Sequence, residues 1–389
     1  MEYTTIGESC SVVSGGTPSR SKTEYWRNGT IPWIKIGNIK SKYVNEYDEL
    51  ITEQGLNNSS AKLLKKGTIL YTIFATLGEV GILDTEACTN QAIAGISIND
   101  PRITTDYLYY YLKSKKDYVN NIGRGVAQNN INLTALKKFE IPLINVDKQL
   151  YIVEVLEKVE RLIGLKKKEI DDLDLLIKAR FVELFGDSEF NTMQWPTKKL
   201  SELCAVSSSK RIYQNEQSTE GVPFLRISDL NERIDNVKNA PELFIPINKY
   251  NKLKENGLIP TEGDILVTSR GTLGRCYIVR PEDEFYFQDG MISWLSDLNS
   301  QITSVYLSQL FAMSGIQKQI ASLQAGSTVA YLSITMLKKL NIMLPPLDRQ
   351  EQFAAFVEQT DKSKLAVQQS LEKTQLLFDS LMQEYFGEN

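Results

Sequence analysis

The sequence predicts an α+β chain in which two α/β modules, related by a pseudo-two-fold axis, are joined by two long antiparallel coiled-coil-like helices. Three observations predict it. LTALKKFEIPLINVDKQ from Leu133 is answered by ITMLKKLNIMLPPLDRQ from Ile334, at a fixed offset of 201 residues. After each copy, apolar residues recur in alternating steps of four and three for about 39 residues, the seam of a coiled coil. Before each copy, short β-branched and aromatic runs bounded by Gly, Pro and Asn are interleaved with helical patterns.

An internal repeat of this size sets the domain organisation before any local reading. The offset holds from Thr134 opposite Thr335 through Gln149 opposite Gln350, and is still in register at LFGD from Leu184 and YFGE from Tyr385. Upstream the repeat loosens. IPWIKI from Ile31 resembles VPFLRI from Val222, and IGESCSV from Ile6 answers LSELCAV from Leu200. KKGTILYT…TLG from Lys65 resembles PTEGDILVT…TLG from Pro260, with Gly67 and Gly263 196 residues apart. A drifting offset means loops of unequal length. Each half is therefore a variable module followed by a constant one, with expected boundaries 1–146, 147–189, 190–347 and 348–389.

In the first module TIPWIKI and GTILYTIF read as strands and Tyr107 to Tyr118 as a helix entered through a Thr-rich turn. The first constant module is one long helix, Asp147 to Phe185. Its seam runs through Ile152, Leu156, Val159, Ile163, Ile170, Leu173, Ile177 and Leu184, interrupted at Lys166 and Arg180. In the second module GDILVTS and YFQDGMISWL read as strands and Val305 to Ile320 as a helix. The second long helix, Asp348 to Phe386, repeats the seam with Phe353, Val357, Val367, Leu371, Phe378, Leu381 and Tyr385, with Thr360, Lys364 and Thr374 in the gaps.

Pro142 and the Pro345-Pro346 pair stop structure before each long helix. Asp147 and Asp348 can cap the N-termini, and Gly186 and Gly387 follow the C-termini. About 39 residues at ~1.5 Å rise make a rod of roughly 58 Å. A rod with one apolar seam must bury it, and the nearest matching seam is its own copy. Antiparallel pairing would place the variable modules at opposite ends. The alternative is two amphipathic helices, each lying on its own module.

Composition narrows the function. With 42% hydrophobic and 24% charged residues over 389 positions, the chain can build two or three cores. No apolar run approaches the ~18 residues of a membrane span, and the polar start MEYTTIGESC does not read as a signal peptide, so the expected location is cytoplasmic. Cys10, Cys88, Cys204 and Cys276 stand singly and there is no histidine, which excludes the common zinc sites and the Ser-His and Cys-His nucleophile pairs. There is no P-loop, no Asn/Asp-Pro-Pro-aromatic motif of an amino-methyltransferase, no FxGxG for its methyl donor, and no Glu-x-Lys or Asp-x-Lys nuclease triplet. IGRGVAQNN from Ile122 follows a helix rather than a strand, a poor context for nucleotide binding.

The net charge of −4 is unevenly placed. Residues 1–146 carry 16 basic and 14 acidic side chains and 190–347 carry 16 and 15, whereas the helical segments carry 8 against 11 and 4 against 8. Mildly basic, loop-rich modules suit the reading of base edges by a few side chains more than a bulk grip on phosphate.

Two variable modules separated by near-identical helical repeats resemble the specificity (S) subunit of type I restriction-modification systems. The details that carry the resemblance are SGGTPSR from Ser14 followed by YWRNGTIPWIKIGNI, TSRGTLG from Thr268, and the LKK…IPL…DKQ lead into the helix. It covers essentially the whole chain. It implies that each variable module is a target-recognition domain reading one half of a bipartite, asymmetric site in double-stranded DNA. It further implies helices that set the gap between halves and dock two methyltransferase (M) subunits, with restriction (R) subunits completing the assembly. The chain itself would then be no enzyme. Adenine-N6 methylation and ATP-dependent cleavage, with S-adenosylmethionine, ATP and Mg, would belong to the partners.

Candidate DNA-binding residues follow from side-chain chemistry. Arg20, Lys22, Tyr25, Trp26 and Arg27 share a Gly/Pro/Ser loop, where exposed aromatic and basic groups suit phosphate or base contact, the alternative being a loop with Trp26 tucked beneath it. Asn90, Gln91, Gln128, Asn129 and Asn130 offer amide forks for adenine N6/N7, or cap backbone instead. In the second module Ser208, Ser209, Lys210 and Arg211 answer the SGGTPSR loop, and Gln288 answers Gln91. Ser269, Arg270 and Thr272 lie in SRGTLG, with Arg270 projecting toward a guanine edge or a phosphate. Gly326, Ser327 and Thr328 parallel the glycine-rich run before the first long helix, as a turn. Phe181, Phe185, Met382 and Phe386 face a partner or pack the helix pair.

Two other classes compete. A stand-alone modification or restriction enzyme with an unrecognised site would need the motifs missing above. A coiled-coil scaffold binding only proteins would leave the divergence of two basic, loop-rich modules unexplained.

Overall fold

The computed structural model describes residues 2–123, 130–237, 239–324 and 330–387. The chain divides into two compact units, and each contains parts of both long helices. The first unit is Met1–Lys167 with Gln369–Asn389, and the second is Lys168–Gln368.

In the first unit, a five-stranded sheet forms in the order Cys10–Ser14, Ile93–Ile98, Ile69–Thr72, Val80–Leu83, Tyr43–Val44, its central strands Ile69–Thr72 and Val80–Leu83 buried at every position and only the Cys10–Ser14 edge alternating. A smaller sheet, Glu49–Ile51, Ile31–Ile34, Cys88–Thr89, stands beside it. Glu2–Thr5 pairs antiparallel with Glu140–Leu143, tying the chain start to the strand that leads into the first long helix. The second unit repeats this plan with one strand fewer in its main sheet, Ala205–Ser207, Ile292–Ser296, Ile265–Thr268, Cys276–Ile278. Its small sheet is Phe244–Ile245, Val222–Leu225, Tyr286–Phe287, and Thr197–Lys199 pairs with Asn341–Met343. TIPWIKI, GTILYTIF and GDILVTS each hold a strand, whereas YFQDGMISWL is two, Tyr286–Phe287 in the small sheet and Ile292–Ser296 in the main one, with a turn between them.

The helices predicted over Tyr107–Tyr118 and Val305–Ile320 are each broken in two. Thr105–Ser114 is followed by Lys116–Gly123, and Ser304–Phe311 by Ser314–Leu323. Apolar residues on both sides of each break, Tyr107 and Val119 in one unit and Leu307 and Ile320 in the other, pack into the same core cluster. The bend lets both pieces follow that core, and an uninterrupted helical pattern in the sequence hides it.

The long helices run Val146–Phe185 and Leu347–Phe386. The first cap is Asn145, whose Oδ1 accepts the Lys148 N–H at 2.8 Å; Asp147 and Asp348 lie inside the first turns, where their charge meets the positive end of the helix dipole. Gly186, at φ 78°, takes the left-handed position after the first helix.

The seams pair antiparallel within each unit. Ile152, Leu156, Val159 and Ile163 share a core with Phe378, Met382 and Phe386 in the first, and Ile177, Phe181, Leu184 and Phe185 share one with Phe353 and Val357 in the second. The polar gaps in the seam are bonded across the pair. Lys166 donates to Ser370 at 2.8 Å and Lys364 to Asp174 at 2.6 Å. Each helix end also packs on the module of its unit. Phe386 lies 5.4 Å from Tyr107 and Phe185 lies 4.8 Å from Tyr306, ring centroid to centroid. Phe181, Phe185, Met382 and Phe386 are therefore packing residues.

Candidate nucleic-acid interface

The strand pair Ile69–Thr72 and Val80–Leu83 closes through a hairpin loop, and the strand pair Ile265–Thr268 and Cys276–Ile278 closes through the same loop. Thr72 N–H donates to Glu79 O at 3.0 Å, Gly78 N–H to Thr72 O at 3.1 Å, and Glu79 N–H to the Thr72 hydroxyl at 2.8 Å. In the second module the corresponding bonds join Thr268 to Arg275, Gly274 to Thr268, and Arg275 to the Thr268 hydroxyl, each at 2.9 Å. Ala75 (φ 62°) and Gly271 (φ 67°) occupy the same left-handed corner. Glycine takes that conformation freely; a residue with a Cβ holds it at a cost, as happens most at functional loops.

The two tips differ in chemistry. Phe74, 47% exposed, stands where the second module has the exposed Arg270. Each tip residue forms an antiparallel bridge to the segment leading toward its long helix, Phe74 with Asn130 and Arg270 with Tyr331. The Arg270 guanidinium lies 5.2 Å from the Tyr331 ring centroid, which fixes an otherwise mobile cation. Side-chain chemistry in the sequence points to Arg270 and Asn130 but not to Phe74 and Tyr331. The signal was available, because the offset of 196 between Gly67 and Gly263 places Phe74 opposite Arg270.

Arg20 is organised differently. Its guanidinium stacks 3.7 Å above the Trp26 ring, lies 4.9 Å from Trp33, and is ion-paired with Glu49. Glu49 also accepts from Lys35 at 2.7 Å, and the two cations, Arg20 foremost, hold its carboxyl below the usual range. A cleft of about 370 Å³ opens beside them, lined by Trp26, Asn28, Asp48 and Glu49 among others. The loop is held down at Gly15 and Gly16. A Cβ on Gly15 would sit 2.2 Å from both Asn90 O and Thr89 Oγ1, so only glycine lets the loop cross that strand, and Trp33 Nε1 donates to Gly16 O at 3.0 Å.

The remaining candidates divide by exposure. Lys22 donates to Tyr25 Oη at 2.9 Å, and Arg27 is exposed. Tyr25 is a correction: it is 4% exposed, its ring turned inward under the loop. Asn90 caps its own turn through Ala92 N–H at 3.3 Å, while Gln91 is exposed and accepts from the Thr17 hydroxyl. Asn130 is exposed; Gln128 and Asn129, like Gly326, Ser327 and Thr328, lie outside the described residues.

In the second module Lys210 is exposed and Arg211 pairs with Asp289 at 2.8 Å. The Ser208 and Ser209 hydroxyls are spent on the Ile292 and Phe287 carbonyls, at 3.0 and 2.7 Å. Ser269 is a second correction. At 1% exposure it bonds the Ser293 hydroxyl at 2.7 Å, because its position is the buried base of the hairpin, as Ile73 is in the first module. Thr272 is exposed, and Gln288 is half-buried with its N–H on Leu225 O at 2.9 Å.

On the long helices a leucine pair recurs at the offset of 201. Leu175-Leu176 and Leu376-Leu377 are all exposed. Among the described residues, no cluster of three or more His, Cys, Asp or Glu is placed to hold a metal ion, and no helix is long and apolar enough to cross a membrane.

Comparison with known proteins bears on this arrangement. The family model described as the type I restriction modification DNA specificity domain matches twice, over residues 1–175 and 193–376. The chain is 27% identical to the type I restriction enzyme MjaIX specificity subunit of Methanocaldococcus jannaschii, across 98% of this chain and 91% of that one. It is similar in fold to the type I restriction-modification S subunit from M. genitalium (TM-score 0.56, 18% identity), over 100% of this chain and 96% of the other. A chain from a structural study of complex assembly and conformational transition of the type I restriction-modification system matches at TM-score 0.60 and 16% identity, over 99% and 97%.

Proposed function

Because this chain belongs to the type I restriction-modification DNA specificity family, we propose that it is the non-catalytic subunit that reads a bipartite, asymmetric double-stranded DNA site, one half through each module. The observation that carries this reading is the hairpin pair, in which one backbone frame is presented twice with Phe74 at one tip and Arg270 at the other. Main-chain bonds hold the frame and leave the tip side chain free to vary, which is how a scaffold acquires two sequence preferences. A two-stranded ribbon of this width also fits the major groove.

In this reading the paired long helices set the gap between half-sites. The exposed Leu175-Leu176 and Leu376-Leu377 pairs support docking of two copies of one methyltransferase subunit at equivalent places, since exposed leucines repeated at one register offer the same apolar patch twice. Restriction subunits complete the complex. S-adenosylmethionine, ATP and Mg belong to those partners, as do adenine-N6 methylation and cleavage. With only a slight excess of basic groups on each module, phosphate affinity comes largely from the partners as well.

The test is the methylation motif in cells expressing this chain with its partner subunits. Two unlike half-sites separated by a fixed gap are expected. A continuous or palindromic motif, or methyl transfer by the purified chain alone, overturns the reading.

A further inference from the structure

We infer that Phe74 and Asn130 together read an A·T pair in the first half-site, the ring on the thymine methyl and the amide on adenine N6/N7, in the place where the second module uses Arg270 on guanine. This rests on the DNA-reading function proposed above and names the residues that set specificity within it.

Residues directly opposite in an antiparallel bridge carry their side chains on the same face, about 5 Å apart. Phe74 and Asn130 are so placed, and both are exposed. One base pair can therefore meet both side chains. In the major groove only A·T and T·A present a methyl group beside an acceptor and donor pair that an amide fork satisfies. A G·C pair offers the Phe74 ring no apolar partner and gives the amide a mismatched edge. Arg270 and Tyr331 stand on the equivalent bridge, and there the aromatic ring faces the cation instead of the DNA methyl. The arginine fork suits guanine O6 and N7.

The Phe74 tip is not part of a packed core. Main-chain bonds fix the shape of this loop while the Phe74 ring stays 47% exposed at its tip, and Ala75 holds a left-handed corner that glycine fills in the second module. The first module bears that cost to keep this loop in place.

The experiment uses the complex of this chain with its methyltransferase subunits and duplexes carrying the motif found in cells. Each thymine of the first half-site is replaced in turn by uracil, which removes only the methyl. One position should weaken wild-type binding by about fourfold, the worth of one buried methyl-sized group, and should leave F74A unaffected. N130A should relax discrimination at the same base pair. F74R should shift the preferred pair there toward G·C, with the second half-site and the gap unchanged. Phe74→Leu, which keeps an apolar tip, serves if the alanine variant is unstable; it should retain sensitivity to uracil. The inference is overturned if the first half-site contains no A·T pair. It is equally overturned if wild type and F74A respond alike to every uracil, or if both alanine variants keep the full motif. Absence of any bipartite motif from the wild-type complex marks failure of the DNA-reading proposal itself, a result separable from these.

Discussion

Gln149 and Gln350, 201 residues apart, are both fully buried and make the same four hydrogen bonds. Gln149 Oε1 accepts from the Thr104 N–H at 2.9 Å and hydroxyl at 3.2 Å, while its Nε2 donates to Arg102 O at 2.6 Å and Ile144 O at 2.9 Å. Gln350 does this with Thr303, Gln301 O and Pro345 O. Each amide fastens the start of a long helix to the helix of its module and to the strand that precedes it. The repeated Asp-Lys/Arg-Gln is therefore a joint, written twice because the chain has two of them.

Replacing either glutamine by leucine should destabilise the protein by about 2–3 kcal/mol, because buried backbone donors and acceptors lose their partner. Chemical denaturation of Q149L and Q350L checks this. Hydrogen exchange should rise around Thr104 in the first variant and around Thr303 in the second.

Phe185→Ala should cost about 3–5 kcal/mol, as a large ring leaves a packed core. The ring meets Phe181, Tyr306 and Phe353 at centroid distances of 4.8 to 5.4 Å. Phe386→Ala should cost less, since Phe386 meets two rings, at the longer centroid distances of 5.4 and 6.2 Å. Unfolding curves of the two variants side by side give the order.

Deleting one heptad from each long helix, such as 164–170 with 365–371, keeps both seams in phase. About two turns are lost, roughly 10 Å of rise and near three base pairs of DNA. The gap in the methylation motif should shorten while both half-sites stay the same. An unchanged gap in methylome sequencing removes the helices as the ruler.

Glu49 carries a pH prediction. Arg20, with Lys35, lowers its carboxyl from the ordinary 4.5 in the folded state. A depressed carboxyl contributes stability that is present above the unfolded value and disappears as pH falls through the folded one. The stability difference between wild type and Glu49→Gln should therefore be largest above about pH 5 and should shrink toward zero in more acid solution. Melting temperatures at pH 3 and pH 7 measure it.

Much of this architecture was legible. A seam of Ile152, Leu156, Val159 and Ile163 can only be a buried helix face, and its copy near the C-terminus named a partner that the packing confirms. Strands such as Ile69–Thr72 and Ile265–Thr268 were readable from their β-branched runs. The candidate site was legible as composition but not as placement. Arg20 was visible as a cation in a loop with Tyr25 and Trp26, whereas its second tryptophan, Trp33, and its neutralisation by Glu49, 29 residues away, depend on the fold. Ser269 and Arg270 looked alike in a turn, and only the hairpin makes one its buried base and the other its tip.

By itself the sequence determined periodicity, duplication and the chemistry on offer, because these are properties of order along a chain. The tertiary structure decided which side chains face solvent and which residues far apart in sequence meet. The bridge between Phe74 and Asn130 and the inward turn of Tyr25 are such decisions. Each depends on how a loop folds back onto a sheet, and burial of the surrounding core selects that path.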